Sequence, residues 1–305
     1  MSRIVVTGGA GRLGRSLVAG LTARGHEVVS LDRAVSDSVE LADAVQVALD
    51  LTDADATRLA LESASADAVI HLAAIAVPFS APDDVIMRTN AALAMSVLGG
   101  AAKADVGRIV AASSPTVLGY GAPGWMPARL PLDERTPPEP ANAYALSKLH
   151  VEQTLDMLLR QRPDLRFAAF RPCYVIAPEE WCGAPTQQGH TVQQRLDDPA
   201  LAAPALFNYV DARDVADFAH ALLEALPEIP NGETFFVGAD DALARTPLAE
   251  LLPRFVPGSD RASAALTGTA PAFSNAKAKR VLGWRPSRTW RTELEHRPQP
   301  AGAPA

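Results

Sequence analysis

The chain has 305 residues, 48% of them hydrophobic and 21% charged, a composition that suits one large globular domain or two unequal ones. Lys and Arg number 28 against 35 Asp and Glu, a net charge of -7. Such a surface repels phosphate backbones and anionic lipid, so neither nucleic acid nor membrane is an expected partner. Two cysteines, Cys173 and Cys182, cannot build a disulfide framework. No apolar run reaches the roughly 20 residues of a membrane span, and residues 1–6 enter a strand without a signal-peptide layout, so a cytoplasmic protein is expected.

Along the chain, residues 4–7, 27–31, 45–49, 68–72, 108–112 and 165–170 form apolar runs without polar alternation, which predicts parallel strands buried on both faces. Helical patterns cover 13–24, 53–63, 82–103 and 143–161 between them. Strand and helix in turn predict an α/β fold, a doubly wound parallel sheet. Residues 178–205 have no period and read as a loop layer. A helix at 211–226, a strand at 233–237 and helical pieces at 247–252 and 274–282 follow, and the tail 291–305 is expected to be disordered. This organisation predicts a dinucleotide-binding unit from 1–172 plus 207–239. A small C-terminal α/β substrate-binding region takes 173–206 plus 240–290.

Thr7-Gly8-Gly9-Ala10-Gly11-Arg12-Leu13-Gly14 sits between the first strand and the first helix. Gly8 allows a tight turn, Gly11 lets the backbone approach a pyrophosphate, and Gly14 lets helix and strand pack closely. The helix N-terminus then offers free N–H groups to the phosphates. Asp32 ends the second strand, where a carboxylate accepts the ribose hydroxyls of NAD and repels the 2′-phosphate of NADP. Arg12 and Arg33 are each able to accept that phosphate, so NAD is favoured with NADP left open.

Tyr144 and Lys148 share a helix face at i, i+4 spacing, and an ammonium near a phenol favours the phenolate needed for proton exchange with an alcohol or carbonyl oxygen. Ser113-Ser114 closes the fifth strand at the carboxyl edge, where ligands bind in this architecture. His71 in an apolar strand end reads as a structural histidine, Cys173 as a buried small residue, and Asp211 and Asp214 as helix caps or anchors. No metal site is expected.

The motifs from Thr7 to Gly14, Asp50-Leu51, His71-Leu72-Ala73-Ala74, Asn90, Ser113-Ser114, Tyr144 with Lys148, Arg171-Pro172, Val210 to Val215, and Leu282-Gly283-Trp284-Arg285-Pro286 occur in one order. In these the chain resembles the extended short-chain dehydrogenase/reductases of the NAD-dependent epimerase/dehydratase type, which have a Rossmann sheet. The resemblance implies that Asp50 and Leu51 flank the adenine, and that Leu72, Ala73 and Ala74 lie along the coenzyme. It also implies that Asn90 supports the nicotinamide ribose and that Cys173 and Tyr174 approach the carboxamide. Ser114 would be the catalytic hydroxyl, Tyr144 the acid/base and Lys148 the ribose anchor. A homodimer through helices 82–103 and 143–161 is implied as well.

Two departures narrow the chemistry. Dehydratases of this type carry acidic residues after the catalytic hydroxyl, whereas Ser114 is followed by Pro115 and Thr116. Between 178 and 208, Arg195 is the sole Lys or Arg and His190 the sole His, few groups to grip a diphosphate. The expected activity is hydride transfer between NAD and a secondary alcohol or ketone of a sugar-like small molecule, a free sugar, sugar acid or polyol, with nucleotide-sugar epimerisation as the alternative. Ser114, Pro115, Thr116, Tyr144, Trp181 and Tyr209 are the expected substrate contacts, with Trp125 a weaker one.

Overall fold

The computed structural model describes residues 1–295. The first half runs β1 (Arg3–Thr7), α1 (Arg12–Thr22), β2 (Glu27–Asp32), β3 (Val45–Ala48), α2 (Ala54–Ala64), β4 (Ala68–His71), α3 (Asp83–Lys103), β5 (Arg108–Ala112) and α4 (Ala143–Gln161). The second runs β6 (Arg166–Pro172), β7 (Val175–Ile176), α5 (Pro178–Trp181), α6 (Val192–Asp197), β8 (Val210–Asp211), α7 (Ala212–Ala225), β9 (Glu233–Val237), α8 (Leu248–Phe255), α9 (Asp260–Ser263), α10 (Ala276–Leu282) and α11 (Trp290–Glu295). Among the described residues, seven parallel strands pair in the order β3-β2-β1-β4-β5-β6-β9.

Apolar runs without alternation are explained by two cores, one per sheet face. Ile4, Val6, Ile70, Val110 and Phe170 point into one, which α1 and α7 cover. Val5, Val69, Ile109, Ala111 and Phe167 point into the other, beneath α2, α3 and α4. By length and composition α3 could cross a membrane, but it packs between α2 and α4 with Ile86, Leu93, Val97 and Leu98 buried. Helix starts follow local chemistry: Asp53, Asn142 and Asp211 accept backbone N–H bonds at the first turns of α2, α4 and α7.

The segment 178–205 is not the plain loop layer its sequence suggests. It holds α5, α6 and two 3₁₀ turns, Pro199–Leu201 and Ala203–Ala205, all too short to show a period. Beside it, β7 and β8 form a separate parallel pair. The tail also departs from expectation, because α11 is folded: Trp290 Nε1 donates to the Ala242 carbonyl, and Arg291 and Glu293 pair with Asp241 and Arg213. Residues 296–305 lie outside the described residues.

Candidate active site

A cleft of about 1500 Å³ opens at the carboxyl edge of the sheet. Strand order reverses there, since β1 is flanked by β2 and β4, and ligands of doubly wound sheets bind at this point. The glycine turn forms the floor. Gly8 takes φ +75°, its N–H donates to the Leu31 carbonyl at 2.8 Å, and a Cβ on it would lie 2.8 Å from the Ala73 nitrogen. A Cβ on Gly14 would come within 2.1 Å of the Gly8 oxygen. Gly9, which the motif reading passed over, is held as tightly: its Cβ would meet Ser30 Oγ at 2.2 Å. No side chain caps α1 and no acid stands in its first turn, so its N–H groups face the cleft uncompensated. That is the donor set a pyrophosphate requires.

Leu13, Arg33, Asp50, Leu51, Leu72, Ala73 and Ala74 all reach the same cleft wall. Asp32 is fixed there by accepting the Ala10 N–H at 3.0 Å and the Arg33 N–H at 2.7 Å. Arg12 also lines the cleft, but its guanidinium is engaged by Glu180 of α5 and donates to Gln187 Oε1 at 2.8 Å.

Across the cleft, α4 presents Tyr144 and Lys148 beside Ser114. Tyr144 and Ser114 share a hydrogen bond that favours the phenolate, yet burial outweighs it and pushes the phenol up to about 12. Burial pulls the Lys148 ammonium down to about 8. Its Nζ donates to the Ala112 carbonyl at 2.9 Å and stands 6.0 Å from the Tyr144 ring centre. The expected lowering of Tyr144 by Lys148 is not found: burial sets the phenol's direction, and the amine is hydrogen-bonded to the Ala112 carbonyl. Ser114 Oγ accepts from Thr116 N at 3.2 Å and Thr116 Oγ1 at 2.9 Å, which fixes its orientation, and Pro115 and Thr116 reach the wall too.

Four candidates, Asn90, Trp181, Tyr209 and the weaker Trp125, are not on the wall. Asn90 is buried behind it, its Oδ1 accepting the Ile75 N–H at 2.8 Å and its Nδ2 donating to Ser147 Oγ at 2.9 Å. It braces the wall against α4 instead of meeting a ribose. Trp181 is buried with Nε1 donating to Asp211 at 2.7 Å, edge-on to Tyr209. Tyr209 donates its hydroxyl to Asp241 and accepts the Trp290 N–H at 2.9 Å. Both are buried in a cluster with Ile176, Leu243 and Trp290, away from the cleft wall. Trp125 is likewise turned inward, onto the Leu118 carbonyl.

Cys173 and Tyr174 do line the cleft, and burial pushes the Cys173 thiol up, which leaves it no nucleophile. His71 is structural as expected: Nδ1 meets Thr7 Oγ1 at 2.8 Å, and burial drops it to about 3, so it stays neutral. The sequence reading missed Tyr120 and Asn208, which share a hydrogen bond on the wall near Tyr144. An aromatic between Gly119 and Gly121, just past β5, was the available signal.

A parallel sheet with a glycine turn at its switch point and a Ser–Tyr–Lys group at its carboxyl edge defines a dinucleotide-dependent oxidoreductase class. The profile of the NAD-dependent epimerase/dehydratase family matches residues 4–238, and the chain belongs to that family of NAD-dependent enzymes. The UDP-glucose 4-epimerase of Mycolicibacterium smegmatis is 32% identical over 314 residues, covering 93% of each chain. The 4-hydroxy-2-methyl-3-oxo-4-farnesyl-3,4-dihydroquinoline-1-oxide ketoreductase of Stigmatella aurantiaca is 29% identical over 249 residues, 77% of this chain and 67% of that one. Other UDP-glucose 4-epimerases are matched over about half of their own length. The crystal structure of UDP-glucose-4-epimerase from Stenotrophomonas maltophila, with NAD and formylated UDP-arabinopyranose, superposes with a TM-score of 0.74 at 19% identity over 97% of this chain and 96% of that one, a likeness of fold.

Proposed function

We propose that the protein is an oxidoreductase moving hydride between NAD and a secondary alcohol, or its ketone, on an uncharged sugar-like molecule. NAD, when bound, takes or returns the hydride at its nicotinamide ring. Tyr144 gives the proton to the substrate oxygen in reduction and removes it in oxidation, while Ser114 orients that oxygen. The carrying observation is the charge of the wall. Among the described residues its cations are Arg12 and Arg33 at the glycine-turn end and Lys148 beside Tyr144. Around Thr116, Tyr120, Asn142 and Asn208 the wall is neutral, with nothing to grip a diphosphate. Arg195 lies buried behind Tyr174, and Arg245 pairs with Asp197.

The identity with the M. smegmatis epimerase favours a second function, 4-epimerisation of a nucleotide sugar on tightly held NAD. A screen of free sugars, polyols and UDP-sugars separates the two. Net NADH formation with a neutral polyol is expected. Isomerised UDP-glucose without net NADH overturns the first function in favour of the second.

Finer assignments belong to the same proposal. Asp32 selects NAD over NADP, and the unit 1–172 plus 207–239 binds it while 173–206 plus 240–290 shapes the substrate end. The enzyme works in the cytoplasm as a homodimer through α3 and α4, where Met95 and Leu146 are exposed apolar residues.

A further inference from the structure

The edge of the sheet opposite the cleft carries a second group of side chains with ligand chemistry. His26 stands in the turn before β2, at the amino end of the strands. His220 and Glu224 stand one helical turn apart on α7, on one face. His26 Nε2 and His220 Nδ1 are 3.1 Å apart, and with a Glu224 carboxylate oxygen the three donor atoms all fall within 4.8 Å. His26 is buried, His220 half-buried and Glu224 exposed, so the group opens to solvent on one side only.

We propose that His26, His220 and Glu224 bind a divalent transition-metal ion of the zinc class, with water as the fourth ligand. Zinc–nitrogen bonds of about 2.0–2.1 Å place two imidazole nitrogens about 3.3 Å apart in a tetrahedral site, close to the separation already present. Two neutral imidazoles and a carboxylate are the ligand set such ions prefer over calcium or magnesium. The proton balance is explicit. His26 Nδ1 accepts the Ser2 N–H at 3.3 Å, so Nε2 carries the ring proton and donates it to His220 Nδ1. The ion takes the place of that proton, which moves to His26 Nδ1 while the Ser2 N–H turns to water. Glu224 closes by a rotamer change on the exposed side. Two arginines of this edge are occupied elsewhere, Arg24 with Asp217 and Arg108 with the Leu223 carbonyl and Ser2 Oγ.

Such an ion fastens the start of β2 to α7 across the helix pair α1 and α7, far from Tyr144 at the other edge. Its role is to stabilise the fold and not to take part in hydride transfer. The test is calorimetric titration of the tag-free full-length protein with zinc chloride, with thermal unfolding alongside. One zinc per chain and a raised Tm are expected. His220→Ala and Glu224→Ala should each weaken binding at least about tenfold and remove the rise in Tm, with NAD affinity unchanged. A wild-type chain that takes up no zinc at micromolar concentration, or variants that bind as the wild type does, overturn the site. Glu224 is exposed, so its variant keeps the test valid if the histidine variant misfolds.

Discussion

Tyr144 and Lys148 meet the cleft in protonation states set by burial. With burial holding its phenol near 12, Tyr144 is a proton donor at neutral pH, which suits reduction. Tyr144→Phe should lower kcat by roughly a hundredfold or more while leaving the calorimetric NAD affinity near wild type. Lys148 titrates near 8, so the ammonium is present below that pH and lost above it. Reduction should therefore decline as pH rises through about 8, and Lys148→Met should remove that limb of the profile. The stability effect has the opposite sign. Between about 8 and 10.5 the unfolded chain keeps a proton that the folded chain has shed, so Lys148 makes folding more favourable as pH rises across that window.

At the scale of elements, one ion pair joins α4, which carries the proposed catalytic pair, to the neighbouring β6. Arg171 donates through Nε and Nη2 to both carboxylate oxygens of Glu152 at 2.8 Å, and both side chains are largely buried. Glu152→Ala leaves that guanidinium unpaired and should cost about 3–5 kcal/mol, read as a lower urea midpoint. Strands β1, β2, β4, β5 and β6 and helices α1 to α4 were legible because burial writes apolar runs and long amphipathic stretches, whereas β3, expected to be buried on both faces, is an edge strand with Val45 and Val47 exposed. Helices α5, α6 and α11 were not, since none exceeds six residues. The same contrast governs the site. That Ser114, Tyr144 and Lys148 face one cleft could be read from spacing within one helix and one strand end. Trp181, Tyr209 and Asn90 could not, because their directions are set by Asp211, Asp241 and Ile75, distant in sequence.

For the whole molecule, the proposed dimer places α3 and α4 against the same helices of a second copy. Light scattering should give twice the 32.2 kDa chain mass for the wild type, and Met95→Glu with Leu146→Glu should shift it to the single-chain mass. A wild type that already scatters as one chain ends the dimer proposal.

The contact of Arg12 with Glu180 has a consequence for how such chains can be recombined. An arginine from the glycine turn and a carboxylate of α5 hold each other, and Arg15 with Glu179 repeats the pattern one turn along. A chimera joining the N-terminal half of one relative to the C-terminal half of another must therefore transfer these partners together. Otherwise the buried Glu180 is stranded at the seam, and exchange of segments among cousins is restricted to those that inherit matching charges.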